Sequence, residues 1–191
     1  MPRRPKHKDA IIGAAVTLFR RAGYSATGLN DIVDHSGAPK GSLYYYFPNG
    51  KPSIAEAAVV EAGRRVAATL RKLANETTST SALLLEHAQM LAGWMSKSGY
   101  RDGCPITTVL LQLAPADRAV TQAGREAYAE RIAILRDRLV ADGVPRGRAE
   151  PLAILCTSAI QGALIQARIE KSGRAVLTTA KELGILLKMI Q

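Results

Sequence analysis

Between residues 27 and 51 the sequence TGLNDIVDHSGAPKGSLYYYFPNGK gathers groups suited to anionic oxygens: the ammonium groups of Lys40 and Lys51 and the hydroxyls of Thr27, Ser42, Tyr44, Tyr45 and Tyr46. The lysines neutralise phosphates, and hydroxyls donate to phosphate oxygens at little electrostatic cost. Base-edge contacts would fall to Ser42, Tyr45 or Tyr46, with Pro39 or Ala38 against a thymine methyl. None of these is an Arg or Asn offering a clear bidentate pair, so the DNA sequence read is not legible here. Catalytic chemistry is scarce by comparison. His7, His35 and His87 share no ligand spacing, and H-E-x-x-H, G-x-S-x-G, G-x-G-x-x-G and C-x-x-C patterns are absent. Gly50-Lys51-Pro52 is not a P-loop, because Tyr45 stands where the first glycine is needed and Pro52 replaces Ser/Thr. No cofactor, metal site or enzymatic activity is expected.

Two short helices must position these groups. The first is predicted over about 29–35, with Thr27 as a hydroxyl cap and Leu29, Ile32 and Val33 on one face. Gly37 then supplies a left-handed turn, and a second helix starts near Pro39, whose fixed φ suits a first helical turn. That second helix turns Lys40, Ser42, Tyr44 and Tyr45 outward and Leu43 and Phe47 inward. The pattern is a helix-turn-helix, whose second helix enters a DNA major groove.

Ala26-Thr27, Asp31-Ile32, Ser36-Gly37 and above all the run Lys40-Gly41-Ser42-Leu43-Tyr44-Tyr45-Tyr46-Phe47 resemble the N-terminal DNA-binding domain of TetR-type regulators over about the first 60 residues. Phe47-Pro48-Asn49-Gly50-Lys51 and Gly103-Cys104-Pro105-Ile106 are similar to the LmrA/YxaF branch. The resemblance implies a homodimeric transcriptional repressor with DNA contacts at Thr27, Lys40, Gly41, Ser42, Tyr44, Tyr45 and Lys51, where Gly41 lets the backbone approach DNA closely. It also implies pairing of the last two long helices across a two-fold axis. The sequence departs from the family pattern at Pro39, often a Ser or Thr cap, at Tyr46, commonly His, and at Gly50, which lengthens the turn.

Composition agrees with a polyanionic partner. The formal net charge is +10, and residues 1–74 hold 12 Lys+Arg against 5 Asp+Glu, leaving 14 against 11 for the remainder. Arg3, Arg4, Lys6 and Lys8 form a basic arm that either follows the phosphate backbone or enters a minor groove, or is a solvated tail. Few aromatics and much Ala, Leu and Arg indicate an all-α protein of about nine helices. A helix-turn-helix domain over 1–50 would precede a ligand-binding and dimerising domain over 51–191.

The remaining helices are expected at about 8–22, 53–73, 82–97, 105–114, 117–141, 148–171 and 174–190. Residues 151–167 are apolar or small nearly all round, yet fall short of a membrane span and carry Thr157, Ser158, Gln161 and Gln166. A second copy of the chain is the simplest cover for such a helix, with Ala159, Gly162 and Ala163 permitting close approach. Joined to the pairing of the last two long helices that the family resemblance implies, this gives an expected homodimer through helices 8 and 9, with no membrane partner; the alternative is a central helix of a monomeric bundle. Two cysteines, Cys104 and Cys156, and no secretory signal point to a reducing cytoplasm.

Leu91, Trp94, Met95, Cys104, Val109, Leu110, Leu113, Tyr128, Ile132, Gln161 and Ile165 form an apolar set with a few polar tips, the make-up of a small-molecule pocket, although each could equally fill a core. The family resemblance favours a cavity for an apolar or aromatic effector, since the branch includes regulators responsive to flavonoids. A helical small-molecule-binding or enzymatic bundle with an incidental basic N-terminus, and an architectural DNA-binding protein without an effector, are the alternatives. Cys104 lacks a nearby resolving cysteine, which argues against a redox sensor.

Overall fold

The computed structural model describes residues 6–190, so most of the expected basic arm, Arg3 and Arg4 included, lies outside the described residues. Among the described residues the protein is all-α, with nine helices and no strand: α1 (Lys6–Ala22), α2 (Leu29–Ser36), α3 (Lys40–Tyr46), α4 (Lys51–Glu76), α5 (Thr80–Lys97), α6 (Pro105–Leu113), α7 (Arg118–Ala141), α8 (Arg146–Glu170) and α9 (Arg174–Lys188). The predicted elements are all present. Their ends move by a few residues, most at the end of α4, which continues to Glu76.

The helices form two compact units, and the division does not fall at residue 50. One unit comprises the chain up to Arg64 together with Cys104–Ala127; the other comprises Arg65–Gly103 and Tyr128–Gln191. The first gains α6 and the start of α7 because α1 packs against α6 as well as against α2 and α3. Ile11, Ala15 and Phe19 recur every four residues on α1 and are fully buried, as are Ile32 of α2 and Leu43 of α3. Where α4 meets α7 inside this unit, a Cβ on Gly63 would lie 2.7 Å from the Cβ of Ala127, so glycine is what admits that approach.

The turns of the first unit follow from residue type. Gly23 (φ 82°) ends α1, Gly37 (φ 62°) ends α2 and Gly50 (φ 67°) precedes α4, each in the left-handed region. Thr27 does not cap α2 as predicted. The N-cap is Gly28, whose N–H donates to Oδ2 of Asp31 at 2.7 Å, and the Thr27 hydroxyl turns back to donate to the Gly23 carbonyl at 2.8 Å. Asp31, three residues into the turn, satisfies the helix start from within the helix.

In the second unit α5 packs on α9, and α9 on α8. Leu83, Leu84, Ala88 and Met95 of α5 and Val176, Ala180, Leu183 and Leu187 of α9 supply the buried faces. Ser79 caps α5 through the Ala82 N–H, and Asp142 accepts from the Thr80 N–H while pairing with Arg138 at 3.1 Å. α8 is buried on one side only: Leu152, Cys156, Ile160, Ala163 and Ala167 face inward, whereas Ile154, Leu155, Ile165 and Ile169 are exposed. By length and composition alone α8 is apolar enough to cross a membrane, a property it shares with core helices of soluble proteins.

Candidate nucleic-acid interface

The exposed face of α3 is set by the burial of its opposite face. Leu43 and Phe47 are 0% and 4% exposed and fix the helix on the first unit, and this rotation leaves Tyr45 79% and Tyr44 50% exposed. Lys40, Gly41 and Pro39 are exposed on the same element, and Ser42 and Tyr46 are half-buried. The Tyr46 ring meets the Tyr45 ring edge-on, with centroids 4.9 Å apart, and so limits the directions in which the Tyr45 hydroxyl can point. No atom lies within 4 Å of where a Cβ on Gly41 would stand, so the backbone there is open to a partner surface.

Two of the expected contact residues are committed to the protein itself. Thr27 is 2% exposed and its hydroxyl is spent on Gly23, which gives it the role of shaping the turn between α1 and α2. Lys51, the first residue of α4, holds its ammonium 4.2 Å from the centroid of the Tyr24 ring and 3.4 Å from the Ser25 carbonyl. Burial lowers its pKa, partly offset by Asp31.

Sequence reasoning missed Gln112. This α6 side chain accepts from the Ser25 N–H at 2.7 Å, and its Nε2 would lie 2.7 Å from a Cβ on Gly23. Asp117, which caps α7 through the Val120 N–H, acts with burial to raise the Tyr24 pKa. The α1–α2 turn is thus held by Lys51 and by Gln112. A contact spanning 87 residues leaves no local signature; only the Gly23-Tyr24-Ser25 turn and the lone amide on an apolar helix hinted at it.

The expected effector residues divide between the units. Cys104, Val109, Leu110 and Leu113 belong to the first; Leu91, Trp94, Met95, Tyr128, Ile132, Gln161 and Ile165 belong to the second. Val109 and Met95 are fully buried, Ile165 is 54% exposed on α8, and the other eight are half-buried. Leu110 packs against Gly124, where an added Cβ would stand 2.6 Å from its Cδ2. A groove of about 620 Å³ between α8 and α9 is lined by Leu155, Ala159, Gln166, Thr179, Leu183 and Leu186 among others, and by none of these eleven.

His87 on α5 is the most perturbed histidine. Burial, with the charge of Arg131 second, pushes its pKa down to about 4. The folded state therefore holds the imidazole neutral while the unfolded chain protonates near 6.5, so the stability His87 contributes is present above about pH 6.5 and lost as pH falls towards 4. That difference amounts to about 3 kcal/mol at the lower end. His87→Gln is expected to flatten the fall in melting temperature between pH 7 and pH 4.5; an identical profile in both proteins would remove His87 from the acid response.

A buried-faced pair of helices that lifts a third, hydroxyl-rich helix into solvent, followed by a larger helical unit, defines an HTH-type transcriptional regulator. Residues 11–58 match the profile for bacterial regulatory proteins of the tetR family, and residues 80–182 match that for the C-terminal domain of LmrA/YxaF-like transcriptional regulators. The chain belongs to the TetR family, in its LmrA/YxaF-like group. It is 33% identical to an uncharacterized HTH-type regulator of Mycobacterium tuberculosis over 86% of this chain and 85% of that one. It is 28% identical to the HTH-type regulator LmrA of Bacillus subtilis, covering 95% and 96% of the two chains. The fold matches that of a TetR regulatory protein from Rhodobacter sphaeroides with a TM-score of 0.82 at 19% identity, over 94% of this chain and 97% of that one. A TetR-family regulator, CifR, solved with a 26-bp double-strand operator DNA, superposes with a TM-score of 0.76 at 19% identity, covering 93% and 94%.

Proposed function

We propose that the chain represses transcription as a homodimer that docks the exposed face of α3 into successive major grooves of an operator and releases it on binding a small lipophilic or aromatic effector. The observation that carries this reading is the exposure of Tyr44 and Tyr45 on a helix whose Leu43 and Phe47 are buried: two large aromatic residues held in solvent have a partner elsewhere. The operator complex of CifR lends the mode support. Pro39, Lys40, Gly41, Ser42, Tyr44, Tyr45 and Tyr46 are assigned to the DNA face. Lys51 joins them by leaving Tyr24 for a phosphate, and Thr27 contributes by fixing the turn.

The dimer is assigned to α8 and α9. Leu155, Ile165 and Ile169 on one helix and Ile185, Leu186 and Met189 on the other are exposed in the single chain, and Gly162 between them has no atom within 4 Å of a built Cβ. A two-fold partner covers such a surface with its own copy. Effector binding shifts the population towards dimers whose recognition helices no longer match the spacing of about 34 Å between successive grooves. The site of action is the cytoplasm, where the operator is.

The test is a salt titration by fluorescence anisotropy, using a fragment selected from the source genome. Six to ten phosphate contacts predict a fall in affinity of about 10³–10⁵ between 50 and 200 mM salt. Salt-insensitive binding would refute the DNA-binding assignment.

A further inference from the structure

Arg131, on the half of α7 that belongs to the second unit, is 6% exposed, and its Nε has no acceptor. Among the described residues it makes no ion pair. The Tyr128 ring lies beside it, with its centroid 5.1 Å from Cζ, and the Arg131 charge helps to keep the His87 imidazole neutral. Neither bears a negative charge. A guanidinium does not deprotonate in proteins, and an unpaired buried charge costs several kcal/mol, of which a desolvated cation–π contact returns about 2.

Carboxylates serve two other arginines of this unit. Two turns further along α7, Arg138 pairs with Asp142, and Arg71 takes Glu130, the carboxylate next to Arg131 in sequence, at 2.6 Å. Arg131 is buried on the same helix as Arg138 and has no such carboxylate. Three further buried polar atoms of this unit lack a partner: Oγ1 of Thr80, Nε of Arg138 and Oγ1 of Thr157. On α5, His87, Leu91 and Trp94 stand four and three residues apart and share one face.

We propose that Arg131 is the anchor for the carboxylate of an apolar, aromatic acid, with the Tyr128 ring beside it. The planar fork of a guanidinium matches a carboxylate bidentately, and an aromatic body suits the Tyr128 ring. This assignment rests on the effector reading given above and narrows it from apolar molecules in general to apolar acids.

The experiment is isothermal titration calorimetry of the full-length protein with three acids and their uncharged amides: benzoate, 2-naphthoate and 4-phenylbenzoate against benzamide, 2-naphthamide and 4-phenylbenzamide. At least one acid is expected to bind tenfold or more tightly than its amide at pH 7.5. Arg131→Met is expected to abolish that preference while leaving amide affinity and the melting temperature of the ligand-free protein at or above the wild-type values. Equal affinities, no binding by any of the six, or a preference that survives in Arg131→Met would overturn it. The acid–amide comparison on the unmodified protein stands even where the variant fails to fold. Operator anisotropy separates the two readings. An Arg131-dependent acid that leaves operator affinity unchanged sinks effector control and keeps the site. An amide that releases operator with no acid preference does the reverse.

Discussion

Tyr45→Ala is expected to weaken operator binding by about 2–6 kcal/mol, because a two-fold dimer loses the contact twice and each good contact is worth about 1–3 kcal/mol. Tyr45 is 79% exposed and touches no core residue's burial, so the fold and the dimer stay intact. Lys40→Ala has a different signature. It removes one phosphate partner per half-site, so the slope of log affinity against log salt becomes shallower by about 2 for the dimer. Tyr45→Ala should leave that slope nearly unchanged. Wild-type affinity in Tyr45→Ala, measured by anisotropy at fixed salt, would take the recognition face away from α3.

The second large effect concerns assembly. Leu155→Asp combined with Leu186→Asp places four carboxylates per dimer in the groove between α8 and α9, whose charged lining is Glu170, its partner Arg174, and Glu182. Burying unpaired carboxylates costs several kcal/mol each, so the dimer dissociation constant is expected to rise at least a hundredfold. Both leucines are exposed in the single chain, at 44% and 37%, and the monomer should keep its helicity. Sedimentation equilibrium reads the outcome, and a dimer of unchanged strength would move the interface elsewhere. Operator affinity should fall in parallel, since one recognition helix alone lacks the second half-site.

The recognition helix was legible because its determinants are local. Gly37, Pro39 and the alternation of Leu43 and Phe47 with exposed hydroxyls act within a dozen residues, and the observed α2 and α3 follow them. The cap of α2 falls one residue later than expected because the Thr27 hydroxyl is engaged within the preceding turn, and Gly28 takes the cap position with its N–H bound by Asp31. Grouping α6 with α1 was not legible, because an apolar stripe states that a face is buried and not against what. Arg131 escaped for a related reason: an arginine in a helix reads as solvated until tertiary structure closes over it. Its one local clue was Tyr128 a turn earlier, at the spacing that brings a ring beneath a guanidinium.

The two cysteines differ in a way that makes the native protein its own instrument. Cys156 is 1% exposed on the inner side of α8, and burial pushes its thiol up to about 11. Cys104 stands half-buried at the N-cap of α6. Only thiolates attack maleimides or methanethiosulfonates, so near neutral pH a reagent of modest size has one target in each chain. A nitroxide can therefore be attached at the entrance to α6 without removing any residue. In a two-fold assembly the pair of labels yields a single distance, whose change on adding operator or ligand would register directly how far the two halves of the repressor move.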